Sequence, residues 1–485
     1  MPVDAVTIDR KDVTAIGGVQ SALFELPVNV RKNDAGVPEA DMATVMLAEP
    51  GKGGTPSPLP AKEALAGKVL VVQPEQLETL INDATALMAD VRKNLALAIP
   101  NGKDKGRLIK EKIDGYGFDK WQPKLAVAQQ EMKRFSLRVD LASDPRKRQI
   151  AEDYERLPVA EQVNELAIFK VFGSLTEFPE AEKLYEVWKQ LPPALQKHYH
   201  ESVSGIRHPL ETGEEVEMIT QTGSVLLELE SANALQAAAN GFSIDLTKST
   251  LGKGKGSIQN DIPVSHQDRL FIYEAKSFPL RHYGMAEKSL MQGKKYQLAI
   301  QDGEAIGAAI EIRGRIKPSL LESLFVKNEI PDVQVVFNMN LPSGKEYRIS
   351  LKGGKTNLPV DDAAMLSDAR DLEVVKGVEQ AIAMAKDGKV QLLSSIVSGD
   401  FEPSAALQEK MAVDEKKFRD NPKNAKLTFG AWDINNIDTF RLFQQERIAA
   451  MHSAAQQAAT MEPERMIRGG SVAKVYSPVQ EKARG

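Results

Sequence analysis

The 485-residue chain has no cysteine. Disulfides, a thiolate nucleophile and zinc–thiolate sites are therefore excluded, and any metal site must be built from His, Asp or Glu. Histidine is scarce too, with six in the chain. Aromatic residues make up 6%, which is low for a carbohydrate-binding or base-stacking surface. No run approaches the ~20 apolar residues of a membrane span. Met1-Pro2-Val3-Asp4-Ala5-Val6 leads into Asp9, Arg10, Lys11 and Asp12, without the apolar core of a secretory signal. The expectation is a protein without a membrane span, either cytoplasmic or exported by a route without a cleaved signal peptide. There is no repeat at a fixed period, no His-Glu-x-x-His and no Gly-x-Ser-x-Gly.

What is present is ordinary globular material. The apolar fraction is 42%, charged residues are 27%, and the net charge is −5. Sizeable cores and a mixed surface follow, and at roughly 150 residues per domain the length predicts about three domains. Residues 1–68 read as a flexible N-terminal arm and linker, with one short strand over Ser21–Val30 and turn chemistry over Gly51–Pro60. Residues 69–210 read as a mostly helical domain. Its clearest helix follows Pro74, where Leu77, Leu80, Ile81, Ala84, Leu87, Met88, Val91 and Leu95 recur at three- and four-residue spacing.

Residues 211–316 read as a β-rich segment, with strands at Val225–Leu229, Phe242–Leu246 and Leu270–Tyr273 and a hairpin over Lys295–Arg315. Residues 317–461 read as an α+β domain. Helices are expected over 318–326, 361–386 and 404–419, strands at Val333–Phe337, Tyr347–Leu351, 389–397 and 425–432, and a long C-terminal helix over 434–460. Residues 462–485 read as a polar tail. The fold class expected is α+β: an extended N-terminal arm, a helical region, then a mixed antiparallel sheet with packed helices.

One segment carries chemistry. Leu270-Phe271-Ile272-Tyr273-Glu274-Ala275-Lys276 is an apolar strand ending in Glu-x-Lys. Alternation along a strand puts Glu274 and Lys276 on one face. The segment resembles the second half of the PD-(D/E)xK nuclease motif. That resemblance implies a metal-dependent nuclease in which Glu274 helps hold Mg²⁺ and Lys276 orients the attacking water and stabilises charge on the phosphate. The pattern requires an acidic partner on a neighbouring strand, for which Asp245 in Phe242-Ser243-Ile244-Asp245-Leu246 is the natural choice. The resemblance thus names Asp245, Glu274 and Lys276 as catalytic, with Asp245 and Glu274 as metal ligands and Glu228 or Glu230 as a further ligand. The chain departs from the pattern in one respect: Ile244, not proline, precedes Asp245.

Other segments suggest phosphate contacts. The loop Gly252-Lys253-Gly254-Lys255-Gly256 could present backbone amides with Lys253 and Lys255. A basic run including Arg281, Lys294, Lys295, Arg313 and Arg315, interleaved with Tyr283 and Tyr296, could line a nucleic-acid surface. His198 and His200 sit two apart in a helical context, where their rings diverge.

Three functions are expected from these features. The absences favour a non-enzymatic interaction or structural protein with a protein partner and no cofactor, such as a bacterial exported effector or a phage or mobile-element protein. The alternatives are the Mg²⁺-dependent nuclease and a non-catalytic nucleic-acid binder.

Overall fold

A computed structural model describes residues 6–9, 23–47, 68–174, 179–206, 215–237, 241–248, 250–251, 258–278, 285–314, 316, 318–399 and 401–460. The chain is α+β and forms two units, residues 1–176 and 177–485. The helical stretch over 69–210 contributes helices to both.

The first unit contains β1 (Val6–Asp9), β2 (Phe24–Lys32), β3 (Pro38–Leu47), β4 (Lys68–Val72), α1 (Pro74–Ala98), α2 (Lys105–Gly115), α3 (Phe118–Ser143), α4 (Arg148–Arg156), α5 (Val159–Asn164) and α6 (Leu166–Gly173). Its sheet has the order β1-β4-β3-β2, with β3 and β4 parallel and the outer pairs antiparallel. The strand expected at Ser21–Val30 is β2, and it does not stand alone in an extended arm. It pairs with β3, because Phe24, Leu26 and Val28 alternate into the same core as Ala43, Val45 and Leu47. Helix α1 starts at Pro74 as expected and buries Leu77, Leu80, Ile81, Ala84, Met88 and Val91. Phe118, Trp121 and Leu125 of α3 complete that core. Gly51–Pro60 lies outside the described residues.

The second unit contains α7 (Pro179–Gln190), α8 (Pro193–Ser204), α9 (Glu215–Ala237), β5 (Phe242–Ile244), β6 (Thr250–Leu251), β7 (Ile258–Gln259), β8 (Ile262–His266), β9 (Arg269–Phe278), α10 (Met285–Gln301), β10 (Gly307–Gly314), α11 (Pro318–Phe325), β11 (Val333–Asn340), β12 (Glu346–Lys352), α12 (Ala369–Lys386), α13 (Val390–Ser398), α14 (Ala405–Asp420) and α15 (Ile437–Thr460). Its main sheet has the order β12-β11-β10-β9-β8-β5. The centre is parallel, β9-β10-β11, and the flanking pairs are antiparallel. Helices α10 and α11 connect the parallel strands, as such crossovers require.

One sheet face presents Ile272, Ile310, Ile312, Val335 and Phe337 to Tyr296, Leu320, Leu321, Leu324, Val374 and Val378 from α10, α11 and α12. The other face meets α9, whose Ser231 hydroxyl donates to the buried Glu311 carboxylate at 2.9 Å. Tyr273 OH and Asn338 Nδ2 also donate to Glu311. The outer edge of β12 is interrupted at Arg348 by a single residue. Asp361 N–H donates to the Arg348 carbonyl at 3.0 Å, and the Asp361 carboxylate accepts from Arg348 N–H at 2.7 Å.

Several expected strands are helices. Val225–Leu229 lies within α9, and 389–397 becomes α13. Lys295–Arg315 is not a hairpin: its first half belongs to α10 and its second half is β10. Gly303, at φ +76°, ends the helix there instead of turning two strands. Over 425–432 there is no strand; the segment is irregular and runs into a 3₁₀ turn at Ala431–Asp433.

Candidate active site

The site begins with the centre of the sheet. Strand β9 lies between β8 and β10, and its residues from Leu270 to Ala275 are buried. Gln267 and Asp268 both have positive φ, at 52° and 60°, and link β8 to β9 in the two-residue turn that suits twisted strands. The turn fixes the hairpin register, with Ile262 opposite Tyr273. Asp261, the residue before β8, therefore falls beside Glu274 and Ala275. Its Oδ2 accepts from Ala275 N–H at 3.3 Å and from Lys276 Nζ at 3.0 Å. Lys276 Nζ also pairs with the Glu274 carboxylate. Two carboxylates, one from β9 and one from the residue before β8, thus share one ammonium.

Glu274 is 1% exposed, and α10 holds it from the interior side. Gln292 Nε2 donates to its Oε1 at 2.8 Å and Tyr296 OH donates to its Oε2 at 2.7 Å. These two residues are four apart, so one helix face presents both. The side chains of Lys276 and Asp261 are 16% and 21% exposed, so the cluster reaches solvent on that side.

Charge is concentrated here. Burial, the negative charge of Asp261 and that of Glu274 push Glu228 of α9 up to about 8, against the opposing pull of Lys276. Burial and Asp261 likewise raise Glu274, although Lys276 and Tyr296 pull it back. Burial alone would lower the Lys276 ammonium, but the carboxylates of Asp261 and Glu274 overcome it and hold it above its ordinary value. Burial, followed by the charge of Glu274, drives the Tyr296 phenol far up, so Tyr296 is a donor at neutral pH.

The structure brings together Glu274 and Lys276, with Glu228 from α9 close enough to feel their charges, but it does not bring in Asp245. Strand β8 stands between β5 and β9, so Asp245 is not on the strand adjacent to Glu274. Its carboxylate caps the next turn instead, accepting from Thr247 N–H at 3.1 Å and Thr247 Oγ1 at 2.6 Å and pairing with Lys248 at 3.2 Å. The Thr247 hydrogen bond is the main reason its pKa is lowered.

Arg313 is engaged by carboxylates of its own chain. Its side chain is 16% exposed, and its guanidinium lies between Glu230 at 2.5 Å and Glu346 at 2.6 Å. Glu230 is therefore engaged away from the cluster, and Lys183 pairs with it at 2.6 Å. Lys294 pairs with Glu329 at 3.3 Å, and Lys295 is exposed on α10. Lys253, Lys255, Arg281 and Arg315 lie outside the described residues.

Asp261 and Gln292 escape the sequence reading, and Tyr296, expected on a basic surface, is instead buried against Glu274. A signal for Asp261 exists. It precedes the short apolar run Ile262-Pro263-Val264, and the Gln267-Asp268 turn then returns the chain along β9. Gln292 and Tyr296 become visible once α10 is recognised as a helix.

The donor set suits a hard divalent cation. The oxygens of Asp261 and Glu274 match Mg²⁺ or Mn²⁺, and no nitrogen or sulfur ligand is needed. Among the described residues, no three His, Asp or Glu side chains already stand in a cation-binding arrangement. The Lys276 ammonium lies against both Asp261 and Glu274. The same carboxylates that attract it would attract a divalent ion beside it. No known protein family, curated protein or solved structure matches the chain.

Proposed function

We propose that the protein is a divalent-cation-dependent nuclease of the PD-(D/E)xK type. One observation carries the reading: Asp261, the residue before β8, and Glu274 on β9 meet at Lys276 Nζ. This supports the reading, because an acidic residue at the entry to the neighbouring strand stands where the Glu-x-Lys motif needs a partner. The interaction-protein alternative rests on absences alone, and Arg313 of the surface expected for a nucleic-acid binder is taken up by Glu230 and Glu346.

Asp261 and Glu274 would hold the cation. When bound, Mg²⁺ supplies Lewis-acid stabilisation of the phosphate and acidifies a water. The remaining chemistry belongs to the chain. Lys276 presents an ammonium that orients a water toward phosphorus and stabilises charge on the phosphate oxygens. Gln292 and Tyr296 fix the orientation of Glu274, so its carboxylate needs no reorganisation as the phosphodiester P–O bond breaks.

The test is incubation with single- and double-stranded DNA and RNA at low salt, with Mg²⁺ or Mn²⁺ and with chelator. Cleavage that needs the cation, and falls at least a hundredfold in both Asp261→Ala and Glu274→Ala, is the expected result. Full activity in either variant, or none in the wild type, overturns the proposal.

A further inference from the structure

Asp261 lies one residue outside the regular ladder, because β8 starts at Ile262. Its neighbours hold it by other means. The Asn260 side chain is 4% exposed and is turned toward β9. Its Oδ1 accepts from Tyr273 N–H at 3.0 Å, and its Nδ2 donates to the Phe271 carbonyl at 3.5 Å. A side-chain amide thus bonds the β9 backbone on either side of Ile272, holding the residue before Asp261 against that strand. From the helical side, Tyr199 of α8, 2% exposed, donates its OH to the Asp261 carbonyl at 3.2 Å. Asp261 is anchored through the residue before it and through its own carbonyl, which leaves the carboxylate aimed at Ala275 N–H and Lys276.

We infer that Asn260 and Tyr199 are positioning residues that set the direction of the Asp261 carboxylate. This rests on the nuclease reading of the same site. Neither side chain is placed to touch a substrate; each acts through Asp261. A carboxylate held by two independent anchors is preorganised for a cation. Loss of either anchor leaves the charge in place but lets it wander, so affinity for the cation falls before the chemistry does.

The test compares the full-length wild type with Tyr199→Phe, Asn260→Ala and Asp261→Asn. Mn²⁺ binding is measured by calorimetry, melting temperature by thermal unfolding, and cleavage as a function of Mn²⁺ concentration. Tyr199→Phe removes one hydroxyl without opening a cavity, so its melting temperature should stay near that of the wild type. Its Mn²⁺ affinity should fall on the order of tenfold, with the cleavage rate recovering at saturating Mn²⁺. Asn260→Ala should lose more affinity in the same way. Wild-type Mn²⁺ affinity in both variants, with binding lost in Asp261→Asn, overturns the positioning role and leaves the nuclease reading intact. A wild type that neither binds Mn²⁺ nor cleaves removes both. If Asn260→Ala does not fold, Tyr199→Phe alone decides the inference.

Discussion

Glu228 titrates far from an ordinary carboxyl, and its effect on stability has a definite sign. In the unfolded chain a glutamate releases its proton near 4.5, whereas the folded protein retains it to about 8, through burial and the charges of Asp261 and Glu274. Between these values the folded state holds a proton that the unfolded state lacks. Raising the pH removes that proton at the folded state's expense, so this group's contribution falls progressively from about pH 4.5 to about 8. Glu228→Gln should therefore gain on the wild type progressively across that window. Urea unfolding of both proteins at pH 5, 7 and 8.5 checks this; parallel pH profiles would refute it. At this scale the sequence was partly readable. Glu274 and Lys276 are adjacent on one strand, so alternation alone placed them on one face. Asp261 depends on a hairpin register set by two residues with positive φ, and Asp245 was a plausible substitute only while β8 went unrecognised.

Among the elements, α9 shows why periodicity misled. It is apolar nearly all round, with Val216, Met218, Ile219, Val225, Leu226, Leu227, Leu229 and Leu235 buried. Packing between the sheet and the neighbouring helices leaves little polar face to mark a helical period. In α10 the alternation of Tyr296, Leu298 and Ile300 is accidental, since Tyr296 is buried while Leu298 is 59% exposed. Elements with one wet face, such as α1, and strands bounded by turn residues, such as β12, were legible. Helix packing makes its own prediction at Gly377 of α12, where a Cβ would overlap the Ala455 carbonyl of α15. The two backbones cross too closely for any side chain. Gly377→Ala should cost about 1–3 kcal/mol despite its better helix propensity. A denaturant midpoint unchanged from the wild type would contradict the close crossing.

For the whole molecule, the division into two units with separate cores was not visible in composition, because helices occur on both sides of it. Phe24, Leu26, Leu77, Phe118 and Trp121 belong to one core, and Ile272, Ile310, Phe337 and Val374 to the other. Every residue of the proposed site belongs to the second. Residues 177–485 expressed alone should fold and cleave nucleic acid with the same cation requirement, while 1–176 should be inert. An inactive but folded 177–485 would assign the first unit a share in catalysis. The Asp361 contacts at the rim of β12 bear on how the molecule behaves in company. An open rim is a template onto which a stranger's strand can zip, and a six-stranded sheet with a hydrophobic interior would propagate such stacking. With the Arg348 amide and carbonyl both taken by one neighbour in the same chain, that template is interrupted midway along the strand, and crowded copies find no continuous ladder there to extend into a fibre.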